Sequence, residues 1–238
     1  MRVLLERHPE RVVTIRLADK RDDPRVREIE ELAKKHGRTV QRIDAHALKQ
    51  SLGDVAHQGV VAEITPLAPW SEDDLLDALQ TAKNPLLLAL DGVQDPHNLG
   101  ACLRTADACG ALAVIVPKDR AAQMTATVRK VAVGAAETTP VVAVTNLVRT
   151  LKLLKEAGLW VVGADAEGAK PAHEVDLKGS IVLVLGAEGA GLRQLTRQTC
   201  DWMARLPQLG TVESLNVSVA AGMLLYEAVR QRTMAVPE

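Results

Sequence analysis

Apolar runs alternate with charged, helically spaced stretches along the whole chain, and this pattern predicts an α/β protein. Residues 85–90 (PLLLAL), 113–117 (AVIVP), 140–144 (PVVAV), 160–164 (WVVGA) and 180–185 (SIVLVL) lack the polar alternation of a half-exposed strand. They therefore read as strands of a parallel sheet covered on both faces, about five or six in number. Helical spacing fills 72–82, 101–109 and 146–157 between them. Ahead of this block, shorter runs at 12–15, 39–43 and 60–64 flank a helix over 23–33, which has Pro24 in its first turn and Gly37 just past its end. The stretch TPLAPWS, residues 65–71, holds two prolines and ends in Ser71, a good helix N-cap, so it reads as a short, stiff linker. The expected organisation is a small α/β module over 1–64, a linker over 65–71 and a larger α/β domain over 72–238.

With 238 residues, 47% of them hydrophobic, the chain is long enough for both units. Basic and acidic side chains number 29 and 30, so a polyanion would have to be held by a local patch. One stretch is locally basic: seven Lys or Arg stand between residues 117 and 156 against Asp119, Glu137 and Glu156. Such a run is ordinarily a solvated helix face. The three cysteines form no C-x-x-C and no signal-like segment opens the chain, so the expectation is a reducing cytoplasm with neither disulfide nor metal. No apolar run approaches the roughly 20 residues of a membrane span.

Candidate chemistry gathers where strands end. GAEGAG, residues 186–191, follows a buried strand, and LPQLGTVESLN, residues 206–216, leads into the last helix; two such loops can form one pocket. The first is G-x-x-G-x-G, the reverse of the dinucleotide pattern, and it lacks the Lys-Ser/Thr of a phosphate loop. Glu188 inside it would repel phosphate and suits a cationic or hydroxyl-bearing ligand, such as a nucleoside without phosphates. A third polar turn, residues 91–100, precedes a helix carrying Arg104. Read structurally, Arg104 would pair with Asp91 or Asp107, and Asn98 would cap the helix. His57 reads as a residue at the start of a strand and stays outside the site.

Three segments, DGVQDPHNLGACLRTADACG (91–110), LVLGAEGAGL (183–192) and LPQLGTVESLNVSVAA (206–221), resemble the three signature motifs of the SpoU (TrmH) class of SPOUT RNA methyltransferases. KDRAAQMTATVRKVAVGAAE (118–137) and HQGVVAEI (57–64) further resemble the large-subunit rRNA guanosine 2'-O-methyltransferases of that class. The resemblance covers nearly the whole chain. It implies an N-terminal L30-like RNA-binding domain, a C-terminal α/β domain with a deep trefoil knot, S-adenosylmethionine as methyl donor, large-subunit rRNA as substrate and a homodimer. General topology rules would reject a knot. Members usually have a short strand and the start of a helix ahead of the segment that Met1 opens here, so the first domain is expected to lack an edge strand or to begin upstream. The signature motifs also suit a tRNA ribose methyltransferase of the same class, and a catalytically silent rRNA-binding protein is a further alternative.

Carried over by motif, the implied catalytic set is Asn98, Arg104, Glu188, Ser214, Asn216 and Ser218, with Gly186, Leu206 and Leu215 holding the cofactor. The chemistry implied places a ribose 2'-hydroxyl in line with a sulfonium methyl and needs no metal. The residue resembling Arg104 is the family's proposed base, yet a guanidinium is a poor proton acceptor at neutral pH. The expected division of labour is that Arg104 clamps a phosphate and stabilises the developing alkoxide, Asn98 and Asn216 orient ribose and loop, and Glu188 positions Arg104 or substrate. With aromatics at 2%, base stacking is expected to contribute little, and Lys118, Arg120, Arg129 and Lys130 are the candidate RNA track. A helix over 214–232 carries Val219, Met223 and Tyr226 on one side, and the implied homodimer would bury Met223 and Tyr226.

Overall fold

The computed structural model describes residues 1–19, 21–52, 58–65, 69–168, 170–187, 189, 191–211 and 214–234. The chain divides into two compact units, Met1–Ala68 and Pro69–Glu238. His57, and residues 66–68 of the expected linker, lie outside the described residues.

The first unit runs α1 (Arg2–Arg7), β1 (Val12–Ala18), α2 (Pro24–Lys35), β2 (Thr39–Ile43), α3 (Ala45–Leu52) and β3 (Val60–Ile64). Its sheet has the order β2-β1-β3, with β1 parallel to β2 and antiparallel to β3. Asp23 caps α2 by accepting from the Arg25 and Val26 amides ahead of Pro24 at N1, and Gly37 takes φ +63° beyond its end. Leu5, Ile15, Leu17, Val26 and Ala33 are fully buried between sheet and helices.

The second unit opens with α4 (Glu72–Thr81), whose Ser71 and Asp74 form a reciprocal capping box. It continues through β4 (Leu86–Asp91), α5 (Pro96–Ala108), β5 (Ala113–Pro117), α6 (Ala126–Val131), β6 (Val141–Val144), α7 (Leu147–Glu156), β7 (Trp160–Ala164), β8 (Lys170–Pro171), β9 (Ile181–Gly186), α8 (Gln194–Thr199), β10 (Trp202–Arg205) and α9 (Val217–Met234). The strands form one sheet, ordered β6-β5-β4-β9-β7-β10-β8, and every pairing in it is parallel. This is the α/β class with a parallel sheet that the alternation predicts. Alternate side chains serve opposite faces: Leu86, Leu88 and Leu90 join the cluster under α5, α6 and α9, while Leu87 and Ala89 join that under α4 and α7.

Among the described residues the sheet has seven strands where five or six are expected, because β8 has two residues and β10 four, too few for an apolar run to register. Helix α5 starts at Pro96 rather than Ala101: Asp95 accepts from the His97 amide at 2.9 Å, and Pro96 sits at N1. Gly100 lies where α6 crosses α5, and a Cβ there would stand 2.9 Å from the Val128 carbonyl oxygen and 2.7 Å from the Val131 Cβ. At the far end of α9, the Arg232 guanidinium donates to the carbonyls of Leu177, Asn84 and Gly179. Buried Gln231 accepts from the Leu177 amide and donates to Val175 O and Glu227. Arg230 beside Glu227 holds that carboxyl down at about 2. Among the described residues no helix is long and apolar enough to cross a membrane.

Candidate active site

The carboxyl ends of β7, β9 and β10 surround a cavity of about 460 Å³, the position where parallel sheets receive ligands. Strand β9 ends at Gly186, after which the chain turns back so that Ala187 and Gly191 bridge, with the Gly191 amide donating to Ala187 O at 2.9 Å. A Cβ on Gly186 would lie 2.0 Å from the Gly191 main chain, so this return requires glycine. Leu185, Ala204, Leu206, Leu215 and Val217 give the cavity an apolar lining, and Asp165, Glu167, Gln208 and Ser214 add polar groups. The three candidate cofactor residues, Gly186, Leu206 and Leu215, thus meet at one cavity, with Ser214 of the candidate catalytic set beside them. Glu188 lies outside the described residues.

Asn98 and Asn216, 118 positions apart in sequence, meet through a 2.9 Å hydrogen bond from Asn216 Nδ2 to Asn98 Oδ1. Asn98 is not a helix cap. Asp95 fills that role, and Asn98 lies within the first turn of α5, buried. The cap is Asn216: its Oδ1 accepts from the Ser218 amide, the Ser218 hydroxyl and, at 3.4 Å, the Val219 amide. This explains why α9 starts at Val217 and not at Ser214. Asn216 stands between Leu215 and Val217, both of which line the cavity.

Arg104 lies further along α5, exposed, and among the described residues it pairs with no acid. The two acids proposed for it are engaged elsewhere. Asp107 accepts from the hydroxyls of Thr138 and Thr139. Asp91, fully buried at the end of β4, accepts from the Arg193 amide at 3.0 Å with Oδ2, while its Oδ1 faces the Arg193 guanidinium at 3.5 Å without a hydrogen bond. Burial pushes the Cys102 and Cys200 thiols up to about 12, so neither is a nucleophile at neutral pH.

Of the candidate RNA track, Lys118, Arg120 and Lys130 are exposed, whereas Arg129 is half-buried and ion-paired with Glu137. The basic excess read along the chain is reduced further in space, since Arg149 pairs with Glu72 and Lys155 with Asp201. Asp165 and Glu167 were missed by the sequence reading. Both follow β7 within GADAEG, residues 163–168, and the rule that ligands meet carboxyl ends of parallel strands, applied to β7, is the signal that finds them. Asp165 pairs with Arg197 across the cavity lining.

The residues present fit S-adenosylmethionine. The volume lies within the range of small-molecule sites, the apolar lining suits a purine, and Asp165 and Glu167 suit ribose hydroxyls and positive charge.

A model described as the SpoU rRNA Methylase family matches residues 85–226, and one described as RNA 2'-O ribose methyltransferase substrate binding matches residues 2–70. The 23S rRNA (guanosine-2'-O-)-methyltransferase RlmB of Pseudomonas aeruginosa is 57% identical over 231 residues, 97% of this chain and 93% of that relative. The SpoU methyltransferase AviRb from Streptomyces viridochromogenes, solved in complex with the cofactor AdoMet, aligns with a TM-score of 0.75 at 28% identity, covering 98% of this chain and 88% of AviRb. The AdoMet-bound rRNA methyltransferase from Sinorhizobium meliloti aligns at 0.72 with 25% identity, covering 99% and 86% of the two chains.

Gly186→Ala tests the cavity. Its methyl group would collide with main chain, and overpacking of that kind costs roughly 1–3 kcal/mol. Calorimetric titration with S-adenosylmethionine should show binding weakened at least about tenfold; unaltered binding would mean the loop does not shape the cofactor site.

Proposed function

The chain belongs to the SpoU rRNA methylase family, and on that premise we propose that it transfers a methyl group from S-adenosylmethionine to the ribose 2'-hydroxyl of a guanosine in 23S rRNA. The observation that carries this is the hydrogen bond from Asn216 to Asn98, which joins the first and third motifs beside the cavity. The 57% identity to a 23S rRNA (guanosine-2'-O-)-methyltransferase favours rRNA over the tRNA alternative, and the match of residues 2–70 to an RNA substrate-binding model supports recognition of the RNA by the first unit. In this reading that unit has the L30-like architecture, with domain limits at 1–64 and 72–238. The segment from Gly186 to α9 forms the trefoil knot. Insertion of β10 between β7 and β8, and the tight approach of Gly186 to Gly191, support that threading.

S-adenosylmethionine supplies the electrophilic sulfonium methyl. The main chain at Gly186, with Leu206 and Leu215, holds the cofactor. Asn98 and Asn216 fix the start of α9 and orient the ribose, with Ser214 presenting its hydroxyl at the cavity and Ser218 donating its own to hold the Asn216 side chain in place. Arg104, exposed and unpaired among the described residues, is free to clamp the phosphate beside the reacting ribose and to stabilise the alkoxide as the proton leaves. Glu188 would position Arg104 or the substrate. Lys118, Arg120 and Lys130 are available to the RNA backbone, and Arg129 contributes less because Glu137 competes for it.

We take the protein to be a homodimer. Val219, Met223 and Tyr226 of α9 are 50%, 45% and 66% exposed and lie on one side of the helix, while Ala221, Leu224, Leu225 and Ala228 are buried within the unit. Such an apolar stripe calls for a partner surface.

Mass spectrometry of rRNA and tRNA from cells lacking the protein should show one 2'-O-methylguanosine missing from 23S rRNA, and loss from tRNA alone would overturn the substrate assignment. In single-turnover assays, Arg104→Lys should slow methyl transfer by about 10²-fold or more, because an ammonium cannot reproduce the guanidinium fork, with cofactor affinity retained. Near-normal turnover would remove the clamp. Met223→Glu should sediment as a monomer and lose cofactor affinity together with activity; a monomer that binds the cofactor normally would break the coupling between the interface and the 206–216 loop.

A further inference from the structure

Aromatic side chains are scarce, with one Tyr, three Trp and no Phe, yet two of the three tryptophans stand side by side in solvent. Trp160 opens β7 and Trp202 opens β10. Their ring centroids are 6.3 Å apart with planes inclined at 49°, and the residues remain 55% and 43% exposed. Large exposed apolar rings gathered at one place are the informative exception on a folded surface. Lys170 of β8 holds its ammonium 5.0 Å from the centre of the Trp202 ring. With Glu174, Asp176 and Gly179 these side chains form a groove of about 330 Å³. It shares no lining residue with the cofactor cavity. The two lie at opposite ends of β7, whose five residues separate Trp160 from Ala164 by about 13 Å.

We propose that this groove is a second RNA-contact site, in which an unpaired base of the rRNA substrate stacks on Trp160 and Trp202. The proposal rests on the reading of the protein as an RNA methyltransferase. A nucleobase is the flat, polarisable partner that two exposed indoles accommodate whatever its sequence context. Lys170 supplies the positive charge for the phosphate that flanks such a base. Glu174 and Asp176 repel phosphate but accept from N–H groups, so they face the edge of the base; the N1–H and N2–H pair of guanine suits a carboxylate best. The short distance along β7 lets nucleotides near the methylated one reach the groove in the same encounter.

Methyl transfer to unmodified 23S rRNA transcript tests this with the full-length protein, using Trp160→Ala, Trp202→Ala and the double variant. The double variant should raise KM for RNA roughly tenfold or more, the loss expected on removing a stacked base. Its kcat should change little, cofactor binding should stay normal and the salt slope of RNA binding should not alter. Trp160→Phe with Trp202→Phe should recover most of the loss, since a phenyl ring still stacks, and cofactor titration confirms that each variant is folded. An unchanged KM in the double alanine variant would overturn the proposal. So would a variant that is normal on naked transcript but impaired on ribosomal particles, which would assign the groove to a protein. Wild-type protein that methylates no rRNA at all would instead sink the functional reading beneath it.

Discussion

One side chain, Asn216, sets the geometry on which the rest of the second unit depends. Its carbonyl oxygen caps α9 and its amide nitrogen grips Asn98 in α5, so the start of the last helix and the first polar turn are fixed by the same group. The energy of each bond is modest, about 1 kcal/mol. The geometric consequence is larger. Where α9 begins decides which residues line the cavity, and it also decides which face of the helix turns outward. Had the helix begun at Ser214, the 206–216 loop would be shorter by nearly one turn and Leu215 would sit within the helix.

Much of the sheet was legible because burial on both faces leaves uninterrupted apolar runs, as in LLLAL of β4 and IVLVL of β9. Strands β8 and β10 were not, because a two-residue pairing and a strand flanked by Asp201 and ending in Arg205 carry no pattern of their own; they exist through their neighbours. At the site, the gathering of Gly186, Leu206, Ser214 and Leu215 around one cavity could be read because two loops rich in glycine and polar residues each mark the end of a strand or the start of a helix. Asp165 and Glu167 have no such local mark; only the general rule for the carboxyl ends of parallel strands points to them, and their place at the cavity comes from β7 lying beside β9 and β10. Charge was the least legible property. Glu72 pairs with Arg149, and Asp201 with Lys155, across dozens of residues, so a basic stretch in the sequence became a partly neutral surface.

Asp91 shows what the arrangement costs. A carboxylate with no exposed surface and one oxygen lacking a hydrogen bond is an expensive group to bury, and its ion pair with Arg193 offsets only part of that. What it secures is the point where the chain leaves the glycine loop, since Asp91 Oδ2 holds the Arg193 amide immediately after residues 186–192.

The other end of α9 bears on the cavity. Arg232 donates to three carbonyls, at Leu177, Asn84 and Gly179, which lie just before β9 and β4. The helix is therefore fastened at its C-terminal end to the base of the two central strands, some 25 Å of helix away from Asn216 at a rise of about 1.5 Å per residue. Between these two ends Ala221, Leu224, Leu225 and Ala228 pack into the core, so α9 is held along its length as well as at both termini. The part of the cavity wall formed by Val217 and Ala220 therefore takes its position from an anchor at the opposite end of the sheet, where Arg232 meets the chain ahead of β4 and β9.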